Sequence, residues 1–358
     1  MKTNKSKKMK NKGKRKAKAI VLFSGGLDSR LAVCMLKEQD IDVKALHFIL
    51  PFGAGCCNDK MCNFRFSQKE LVDLKIIDCT SGKNFQDYMK IVRNPKHGHG
   101  SGMNPCIDCR IFMLKKAKEI MKKEKADLIA TGEVLNERPM SQYKSALELV
   151  EKEAGLKGMI LRPLSAKLLP ETAAEKNGLI DRNKLLAING RSRKIQIELA
   201  DKFKINYPSP AGGCLLCEKA FCQKLNDLIK HIDKTNKKGK ITEKDIELLK
   251  TGRHFRFGEA KIIVGRNHQE NLKLLSLNSS KYLIFEVPGV GSPITLLISN
   301  KPSHKDIEMA ASLTARYSDS DKNAKIKVQF GKKAEKLEKS AMVNAASDKQ
   351  IKELIITK

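Results

Sequence analysis

The chain has 358 residues, 41% of them hydrophobic, and a formal net charge of +30. A chain of this length buries a sizeable core over two or three domains, and its apolar runs are too short to span a membrane. The excess of Lys and Arg predicts a polyanionic partner, unless it only reflects a lysine-rich proteome. Trp is absent and aromatic residues make up 5% of the chain, which disfavours a base-stacking platform and favours a folded RNA as partner.

The N-terminal segment is strongly basic. Residues 1–18 contain ten Lys or Arg and no acidic residue, which predicts a disordered, cationic tail. The segment lacks the apolar core of a secretion signal, so we expect a cytoplasmic protein.

A glycine-rich hexapeptide, Ser24-Gly25-Gly26-Leu27-Asp28-Ser29, follows the apolar run 19–23 and precedes a helix-like stretch at 30–39. A strand that turns through glycines into a helix presents backbone N–H groups and the positive end of the helix dipole, which together hold phosphate. Ser24 and Ser29 supply hydroxyl donors, and Asp28 can cap the helix or hold Mg²⁺. The Walker lysine is missing, so the loop suits pyrophosphate better than γ-phosphoryl transfer. The alternative is a capped turn without a ligand.

Apolar and helix-like segments then alternate, which indicates an α/β domain with a doubly wound parallel sheet over residues 19–165. Further strands are predicted at 43–49, 74–77, 128–131 and 159–161, and helices at 66–71, 107–123, 141–154 and 171–178. Ligands of such sheets bind beyond the carboxyl ends of the strands. We therefore expect the Ser24 loop, the His47 region and Thr131-Gly132-Glu133 to converge, with Thr131 and Gly132 in the nucleotide site.

The pattern after residue 165 indicates a connector, a second domain and a C-terminal tail. Residues 166–237 form a basic connector that contains an amphipathic stretch at 195–203. Residues 238–330 predict a small α+β domain with strands at 261–264, 282–287, 294–299 and 325–330. Residues 331–358 are charged and weakly patterned.

Ten cysteines in a chain that we expect in the cytoplasm favour metal or sulfur chemistry over disulfides. Cys106 and Cys109 form a C-x-x-C pair at the start of a predicted helix, where the helix N-terminus favours a thiolate. Cys214 and Cys217 form a second pair about a hundred residues later. Four thiolates can hold Zn²⁺ or a [4Fe-4S] cluster, whereas three leave one iron open to sulfide.

Further candidate residues have competing explanations. We assign Cys56, Cys57 and Cys62 to a mobile active-site loop, Cys34 and Cys79 to the inert core, and Cys222 to a contact with a neighbouring helix. His97 and His99 can bind metal or phosphate, but a flexible polar loop explains them better. Arg138, Ser141 and Gln142 can hold the nucleotide or the target base, or can form a helix start with Ser141 as its N-cap.

The hexapeptide resembles the PP-loop of the ATP pyrophosphatase superfamily, whose members adenylate a substrate and release pyrophosphate. Taken with MNPCIDCR at 103–110, ADLIATGE at 126–133, LRPLSAKLLPE at 161–171 and SPAGGCLLC at 209–217, it resembles the tRNA 2-thiouridylase family. That resemblance implies that the loop binds ATP and Mg²⁺, that tRNA is the substrate, and that Asp28, Cys106 and Cys214 are catalytic. In that family the cysteines matching Cys106, Cys109 and Cys214 are proposed as a disulfide-forming pair or as cluster ligands. Cys217 is a candidate fourth ligand.

The sequence departs from that family at two positions and carries a second resemblance. Glu133 stands where relatives usually have histidine, and Arg30 stands where many have a serine, which leaves a phosphate contact by Arg30 open. The motifs at 253–258, 262–267 and 270–271 resemble the RNA-binding domain of NFACT-type proteins.

These observations lead to one main hypothesis, an ATP-dependent tRNA sulfurtransferase. Such an enzyme adenylates a uridine carbonyl, replaces its oxygen with sulfur from a donor protein or sulfide, and releases AMP and pyrophosphate. A structural zinc held by the four C-x-x-C cysteines would replace the sulfur chemistry. The chain could instead be a PP-loop ligase acting on a small acid, or a non-enzymatic, zinc-stapled RNA-binding protein. The tRNA position, the base atom (C2 or C4) and the oligomeric state stay open.

Overall fold

The computed structural model describes residues 16–53, 60–209, 213–234, 240–279, 281–334 and 336–357. Most of the predicted basic tail lies outside these residues, and so do Cys56 and Cys57. The chain divides into two compact units. The first unit comprises Met1–Cys79, Asn94–Gly100 and Pro105–Gly213, and the second comprises Thr80–Arg93, Ser101–Asn104 and Cys214–Lys358.

The first unit contains a five-stranded parallel sheet, which confirms the predicted α/β class. Its strands are β1 (Lys18–Leu22), β2 (Asp42–Ile49), β3 (Asp73–Asp78), β4 (Leu128–Thr131) and β5 (Ile160–Leu161), in the order β3-β2-β1-β4-β5. Ala19, Ile20 and Val21 of the central strand have no exposed surface, as a parallel strand covered on both faces requires. The chain winds outward from β1 through β2 to β3 and then crosses back to β4, so the switch point lies between β1 and β4.

Helices occur in both units. They are α1 (Leu27–Lys37), α2 (Lys60–Lys69), α3 (Gly82–Arg93), α4 (Cys106–Glu124), α5 (Lys144–Ala154), α6 (Ala173–Lys176), α7 (Lys194–Lys202), α8 (Lys219–Lys234), α9 (Glu243–Leu249), α10 (His268–Ser276), α11 (His304–Arg316) and α12 (Asp348–Leu354). Short 3₁₀ turns lie at Ala166–Leu168, Arg182–Lys184 and Leu215–Cys217. None of the helices in the described ranges is long and apolar enough to cross a membrane.

The predicted helix at 107–123 agrees with α4, whereas three further helix predictions had wrong bounds. The helix predicted at 66–71 ends at Lys69, because Leu71 has a φ of +50° that a right-handed helix cannot accommodate. The helix predicted at 141–154 begins only at Lys144. The helix predicted at 171–178 shortens to α6, which begins with a reciprocal cap between Thr172 and Glu175.

The second unit contains an antiparallel sheet. Its strands are β6 (Arg253–Phe257), β7 (Ala260–Val264), β8 (Leu283–Glu286), β9 (Thr295–Ile298), β10 (Ile326–Gly331) and β11 (Lys339–Val343), in the order β11-β10-β8-β9-β7-β6. The strands predicted from 261 to 330 correspond to β7 through β10. Ala310 and Ala311 of α11 pack into the same core as Phe255 and Phe285, and their small side chains allow the helix to approach the sheet closely.

Residues beyond 331, which the sequence left as a weakly patterned tail, complete this sheet. They supply β11 and α12, and α12 begins with a reciprocal cap between Ser347 and Gln350. The chain then runs antiparallel to the edge strand β6. Phe255 pairs with Ile355, and Ile356 N donates a hydrogen bond to His254 O at 3.0 Å.

Candidate functional site

The hexapeptide 24–29 forms the connection from β1 to α1, as predicted. Ser29 closes the loop, because its Oγ accepts a hydrogen bond from Gly25 N at 3.1 Å and donates one to Gly26 O at 2.9 Å. Gly26 is the N-cap residue of α1 and provides no side-chain cap. The first N–H groups of a helix have no acceptor within the helix, so this helix start can accept an anion.

Gly25 cannot carry a side chain here. Its φ is +83°, and a Cβ would lie 1.9 Å from Oδ1 of Asn63 on α2. The Asn63 amide in turn lies 3.3 Å from both ring nitrogens of His47, whose Nδ1 is 3.0 Å from Phe23 O. The buried side chains of Asn63 and His47 therefore hold the 24–29 loop against the end of β2.

The end of β4 touches the other side of the loop. A Cβ on Gly132 would lie 2.6 Å from the carbonyl carbon of Asp28 and 2.6 Å from Ser29 N, so only glycine permits this approach. Thr131 precedes it and donates its hydroxyl to Glu133 at 2.9 Å. The predicted convergence of the Ser24, His47 and Thr131 regions is thus observed.

Arg30 has a structural position, which corrects the idea that it contacts phosphate. Its side chain is 3% exposed. Nε donates to Gly25 O at 2.7 Å, a second guanidinium nitrogen donates to Asn206 O at 2.6 Å, and the guanidinium stacks on Phe66 at 4.8 Å. Arg30 supports the loop from the protein interior and does not face a ligand.

Asp28 does not cap α1 but pairs with Arg193, at the start of α7. The Arg193 guanidinium lies 3.2 Å from Asp28 Oδ2 and 3.7 Å from Glu137 Oε1. Asp28 Oδ1 and Arg193 Nε are buried and have no hydrogen-bond partner among the described residues. Burial and the nearby Asp28 carboxylate raise the pKa of Glu137, although Arg193 and Arg138 oppose this. The sequence analysis missed Arg193 and Glu137 as members of this group.

Gln196 is a further polar residue that the sequence analysis did not select. It lies three positions after Arg193, hence on the same side of the start of α7. It is fully buried, and neither its amide nitrogen nor its oxygen has a hydrogen-bond partner within the described part of the chain. An unsatisfied buried amide of this kind needs an explanation, and a bound ligand or water supplies one.

Glu133 is the centre of a buried ion-pair network behind Thr131. Its carboxylate lies 3.0 Å from Arg162 Nε and 3.3 Å from Arg110 Nε, and Glu133 and Arg162 are each less than 5% exposed. Burial alone would raise the pKa of Glu133, but Arg110 and Arg162 hold it below its ordinary value. Glu133, which stands where relatives usually have histidine, is therefore ionised and stabilises the end of β4 through its ion pairs.

Arg138, Ser141 and Gln142 lie in the turn 136–142 but differ in their exposure. Ser141 and Gln142 are buried, and Gln142 accepts hydrogen bonds from Asn136 N and Arg138 N at 2.9 and 3.0 Å. The alternative of Ser141 as N-cap is wrong, because Tyr143 occupies that position. The Arg138 side chain is exposed.

Cys106 is the first residue of α4, and Cys109 lies one turn later, with its N–H bonded to Pro105 O at 2.8 Å. Both are partly exposed. Asp108, between them, accepts hydrogen bonds from the backbone N–H groups of Lys96 and His97 at 3.2 and 3.0 Å. The first C-x-x-C pair is thus presented at a helix start in the first unit, and the loop with His97 is fixed to it.

Cys214 and Cys217 belong to the second unit and flank a single 3₁₀ turn. Cys217 N donates to Cys214 O at 2.9 Å, and Leu216 O accepts from Met103 N at 2.8 Å. The buried Cys222 thiol also donates to Leu216 O, at 3.0 Å, so Cys222 supports this turn and not a neighbouring helix. The loop is held in a defined conformation by these bonds.

Cys34 and Cys79 have the predicted inert character, whereas the loop predicted for Cys62 is wrong, because Cys62 lies in α2. Burial raises the pKa of the Cys34 and Cys79 thiols to about 12, so both are protonated at neutral pH. No group of three or more His, Cys, Asp or Glu side chains among the described residues is placed to hold a metal ion. The four-cysteine metal site therefore stays a prediction.

Two arginines of the predicted RNA-binding motif, Arg256 and Arg266, and the neighbouring Lys261 form ion pairs within the second unit. Arg256 makes two hydrogen bonds to Asp227, at 2.9 and 2.6 Å, and Lys261 lies 3.2 Å from the same carboxylate. Burial lowers the pKa of Lys261 to about 8, although Asp227 opposes this. Arg266 forms an ion pair with Glu270. These cations stabilise the sheet and α10, so phosphate contacts require different residues.

Comparison with protein families gives one match in each half of the chain. Residues 14–168 match the family model described as thiamine biosynthesis protein (ThiI), and residues 252–355 match that of the NFACT protein RNA binding domain. The tRNA-specific 2-thiouridylase MnmA of Petrotoga mobilis is 30% identical over 142 residues, which are 36% of this chain and 38% of that protein. The chain thus spans less than half the length of this curated relative. The predicted PP-loop and NFACT-type resemblances are confirmed.

Two solved structures are similar at low identity. The U34-tRNA thiolase NcsA from Methanococcus maripaludis with its [4Fe-4S] cluster is 17% identical, with a TM-score of 0.32, over 62% of this chain and 68% of that one. A 4-thiouridine synthetase in complex with RNA and bound ATP is 19% identical, with a TM-score of 0.36, over 56% of this chain and 45% of that one.

The geometry of Gly25 leads to a test of the nucleotide site. Gly25→Ala should abolish ATP binding in isothermal titration calorimetry, because the new methyl group must displace Asn63 and the loop with it. Gly158→Ala is the matched control, since Gly158 also has a positive φ, +69°, but open space at its Cβ. The control should lose about 1 kcal/mol of stability and retain ATP binding. Equal ATP affinity in both variants would contradict this account of the loop.

The Glu133 network predicts a pH-dependent stability. Glu133→Gln should lower the free energy of unfolding of the first unit by about 3 kcal/mol at neutral pH, because it leaves buried Arg162 short of one carboxylate. Since the folded pKa of Glu133 lies below its unfolded value, its stabilising contribution exists above about pH 4.3 and is lost as the pH falls through the folded pKa. Urea denaturation followed by circular dichroism at neutral and acidic pH should show a smaller acid-induced loss in the variant. Glu148→Gln, at an exposed position of α5, is the control and should behave as the wild type.

Proposed function

We propose that this chain is an ATP-dependent tRNA sulfurtransferase, which adenylates a uridine carbonyl and exchanges its oxygen for sulfur. The observation that supports this most is the match of residues 14–168 to the ThiI family, over the same residues that build the glycine-rich loop and its uncapped helix. The 2-thiouridylase activity in the name of the MnmA relative agrees with this proposal.

ATP binds with its phosphates on the N–H groups at the start of α1, where the helix dipole favours negative charge. Thr131 and Gly132 border the same space, because Gly132 lies against the Asp28 backbone. The uridine carbonyl oxygen attacks the α-phosphorus, its bond to phosphorus forms, and pyrophosphate leaves. The products of this half-reaction are a uridine adenylate and pyrophosphate.

Asp28 and Arg193 control the charge at this site. Asp28 Oδ1 is buried and unbonded among the described residues, and a carboxylate oxygen in that state suits Mg²⁺. The metal, when bound, neutralises charge on the leaving pyrophosphate. Arg193 pairs with Asp28, and on ATP binding its guanidinium moves to the phosphates. It thereby replaces the missing Walker lysine, a role that the buried Arg30 cannot take.

The sulfur-handling residues are Cys106 and Cys214, with Cys109 and Cys217 as the further predicted ligands of a [4Fe-4S] cluster or zinc. Four thiolates fit either group. The transfer that the cysteine side chains can carry out themselves runs through a persulfide on Cys106 or Cys214. Its terminal sulfur attacks the adenylated carbon and displaces AMP, and a second thiolate cleaves the S–S bond to leave thiouridine and a disulfide.

The net positive charge of the chain and the family match in its second unit both support RNA as the partner. The chain carries a net charge of +30, and residues 252–355 match the NFACT RNA-binding domain. Phosphate contacts by Lys and Arg give affinity that falls as salt concentration rises. The sulfur donor belongs to the proposal as a second partner. It is a protein that passes a persulfide sulfur to the cysteine thiolate, or free sulfide that attacks the disulfide left by the preceding turnover, forms the persulfide and releases the other cysteine as a thiolate.

Measuring adenylation and sulfur transfer separately distinguishes the proposed role of Asp28 from that of Cys106. Asp28→Asn should reduce tRNA-dependent pyrophosphate release about 100-fold or more, because it removes a carboxylate from the charged site. Cys106→Ser should keep pyrophosphate release and lose thiouridine, measured by nucleoside mass spectrometry of the same reactions. Asp42→Asn, exposed, and Cys34→Ala, buried and inert, are the controls.

The same assays distinguish the competing functions. Pyrophosphate release that does not need RNA would favour a small-acid ligase. A complete absence of pyrophosphate with every substrate would favour the non-enzymatic RNA-binding protein. Thiouridine formation by Cys106→Ser would contradict the assigned sulfur route.

The proposed movement of Arg193 has its own test. Arg193→Gln should weaken MgATP binding about tenfold, since a charge-assisted contact to phosphate is worth about 1.5 kcal/mol or more. Arg191→Gln removes an equal charge from an exposed position two residues away and should bind MgATP as the wild type does. Isothermal titration calorimetry measures both. Unchanged or tighter binding by Arg193→Gln would show that the Arg193 pair with Asp28 only competes with the nucleotide.

A further inference from the structure

The second unit contains a cavity of about 270 Å³ between α10, β8, the loop before β9 and the turn before β11. Ligand sites in proteins start at roughly 300 Å³, so the cavity has the size of a small ring system. Its walls are aliphatic, from Leu272, Leu275, Ile284, Ile294 and Leu337. Leu272 is 54% exposed at the mouth, so its side chain is accessible from solvent.

His268, Asn271, Glu286 and Ser292 are the polar residues of the cavity wall, and two of them, Asn271 and Ser292, are bonded to the wall itself. Asn271 donates to Ser292 O at 3.2 Å and accepts from Ile294 N at 3.0 Å, which fixes the 292–294 loop to α10. The Ser292 hydroxyl accepts from Val287 N at 2.9 Å and donates to Pro293 O at 3.0 Å. These groups build the wall and have little capacity left for a ligand.

Glu286 differs from them. It lies two residues after Ile284 on β8, so both side chains lie on the sheet face that α10 covers. It lines the cavity, and no described residue donates a hydrogen bond to its carboxylate or forms an ion pair with it. A half-buried carboxylate on an apolar wall attracts a ligand that carries hydrogen-bond donors.

The rim of the cavity is positively charged. Lys332, Lys333 and Lys336 are exposed in the turn that also contributes Leu337 to the wall. Lys336 is partly neutralised by Glu338, 3.0 Å away. An aliphatic cavity with an acceptor inside and cations outside matches a nucleotide, with its base in the cavity and its phosphates on the lysines.

We propose that this cavity binds an unstacked guanine base of single-stranded RNA, read by the Glu286 carboxylate. Guanine presents two adjacent donors, N1–H and N2–H, to the two carboxylate oxygens. Uracil presents one donor between two carbonyl oxygens, which a carboxylate repels. Sequence-specific RNA recognition usually targets unstacked bases in loops, where this edge is free. The inference rests on the proposal that the chain binds RNA, and it does not depend on sulfur transfer.

The test compares two oligoribonucleotides, an oligouridylate and the same oligomer with one central guanosine, by fluorescence anisotropy with the full chain. The wild type should bind the guanosine oligomer about tenfold more tightly, within the range of a bidentate base contact. Glu286→Gln should bring this ratio to about one while affinity for oligouridylate stays unchanged. Lys332→Gln combined with Lys333→Gln should weaken both oligomers equally and flatten the salt dependence.

Leu272→Ala tests the aliphatic wall, and Val290→Ala is its matched control. Val290 is 43% exposed in the same unit but does not line the cavity. Only the Leu272 variant should lose preference for guanosine. Equal wild-type affinity for the two oligomers, or a preserved ratio in Glu286→Gln, would overturn the base readout alone. Failure of the wild type to bind either oligomer would overturn the RNA-binding proposal and this inference with it.

Discussion

The candidate nucleotide site depends on the parallel pairing of β1 with β4 and on the glycine that allows their loops to touch. Because both strands end at the same edge, Gly132 lies directly against the backbone of Asp28 and Ser29. A side chain at 132 would separate the two loops. Asn63 and His47 fix the loop from the β2 side, so the backbone donors at the start of α1 are oriented before any ligand binds. Donors that are already oriented lose little entropy on binding.

Two ion pairs near this edge have opposite physical characters. The Glu133 and Arg162 side chains are less than 5% exposed, and separating them would leave a charge in a dry interior. The Arg193 and Asp28 side chains are 31% and 16% exposed, and each retains an unbonded atom. The first pair is a permanent part of the β4 end. The second can exchange partners at low cost, as a site that alternates between empty and filled states requires.

Local sequence signals predicted the parallel strands and the loop, because buried apolar runs and paired glycines have few other structural uses. Arg193 and Glu137 were missed since they approach Asp28 only through the fold, 165 and 109 positions away in the chain. The role of Arg30 stayed open for a related reason: its position beside the loop does not reveal that its guanidinium turns inward. The strand β11 and helix α12 were overlooked among charged residues, although Ser347 and Gln350 have the spacing of a capping box.

The pairing of Ile355 and Ile356 with β6 has a consequence for solubility. An edge strand offers unpaired N–H and C=O groups to any other extended chain, and β6 carries the apolar Phe255 and Phe257. The segment after α12 occupies part of that edge and so acts as an intramolecular cover. Proteolytic cleavage just before α12 would remove this cover and expose the hydrogen-bonding groups of β6. Cleaved molecules would then self-associate through β6. The protein would be lost by aggregation, although the residues of its candidate nucleotide site would be unchanged.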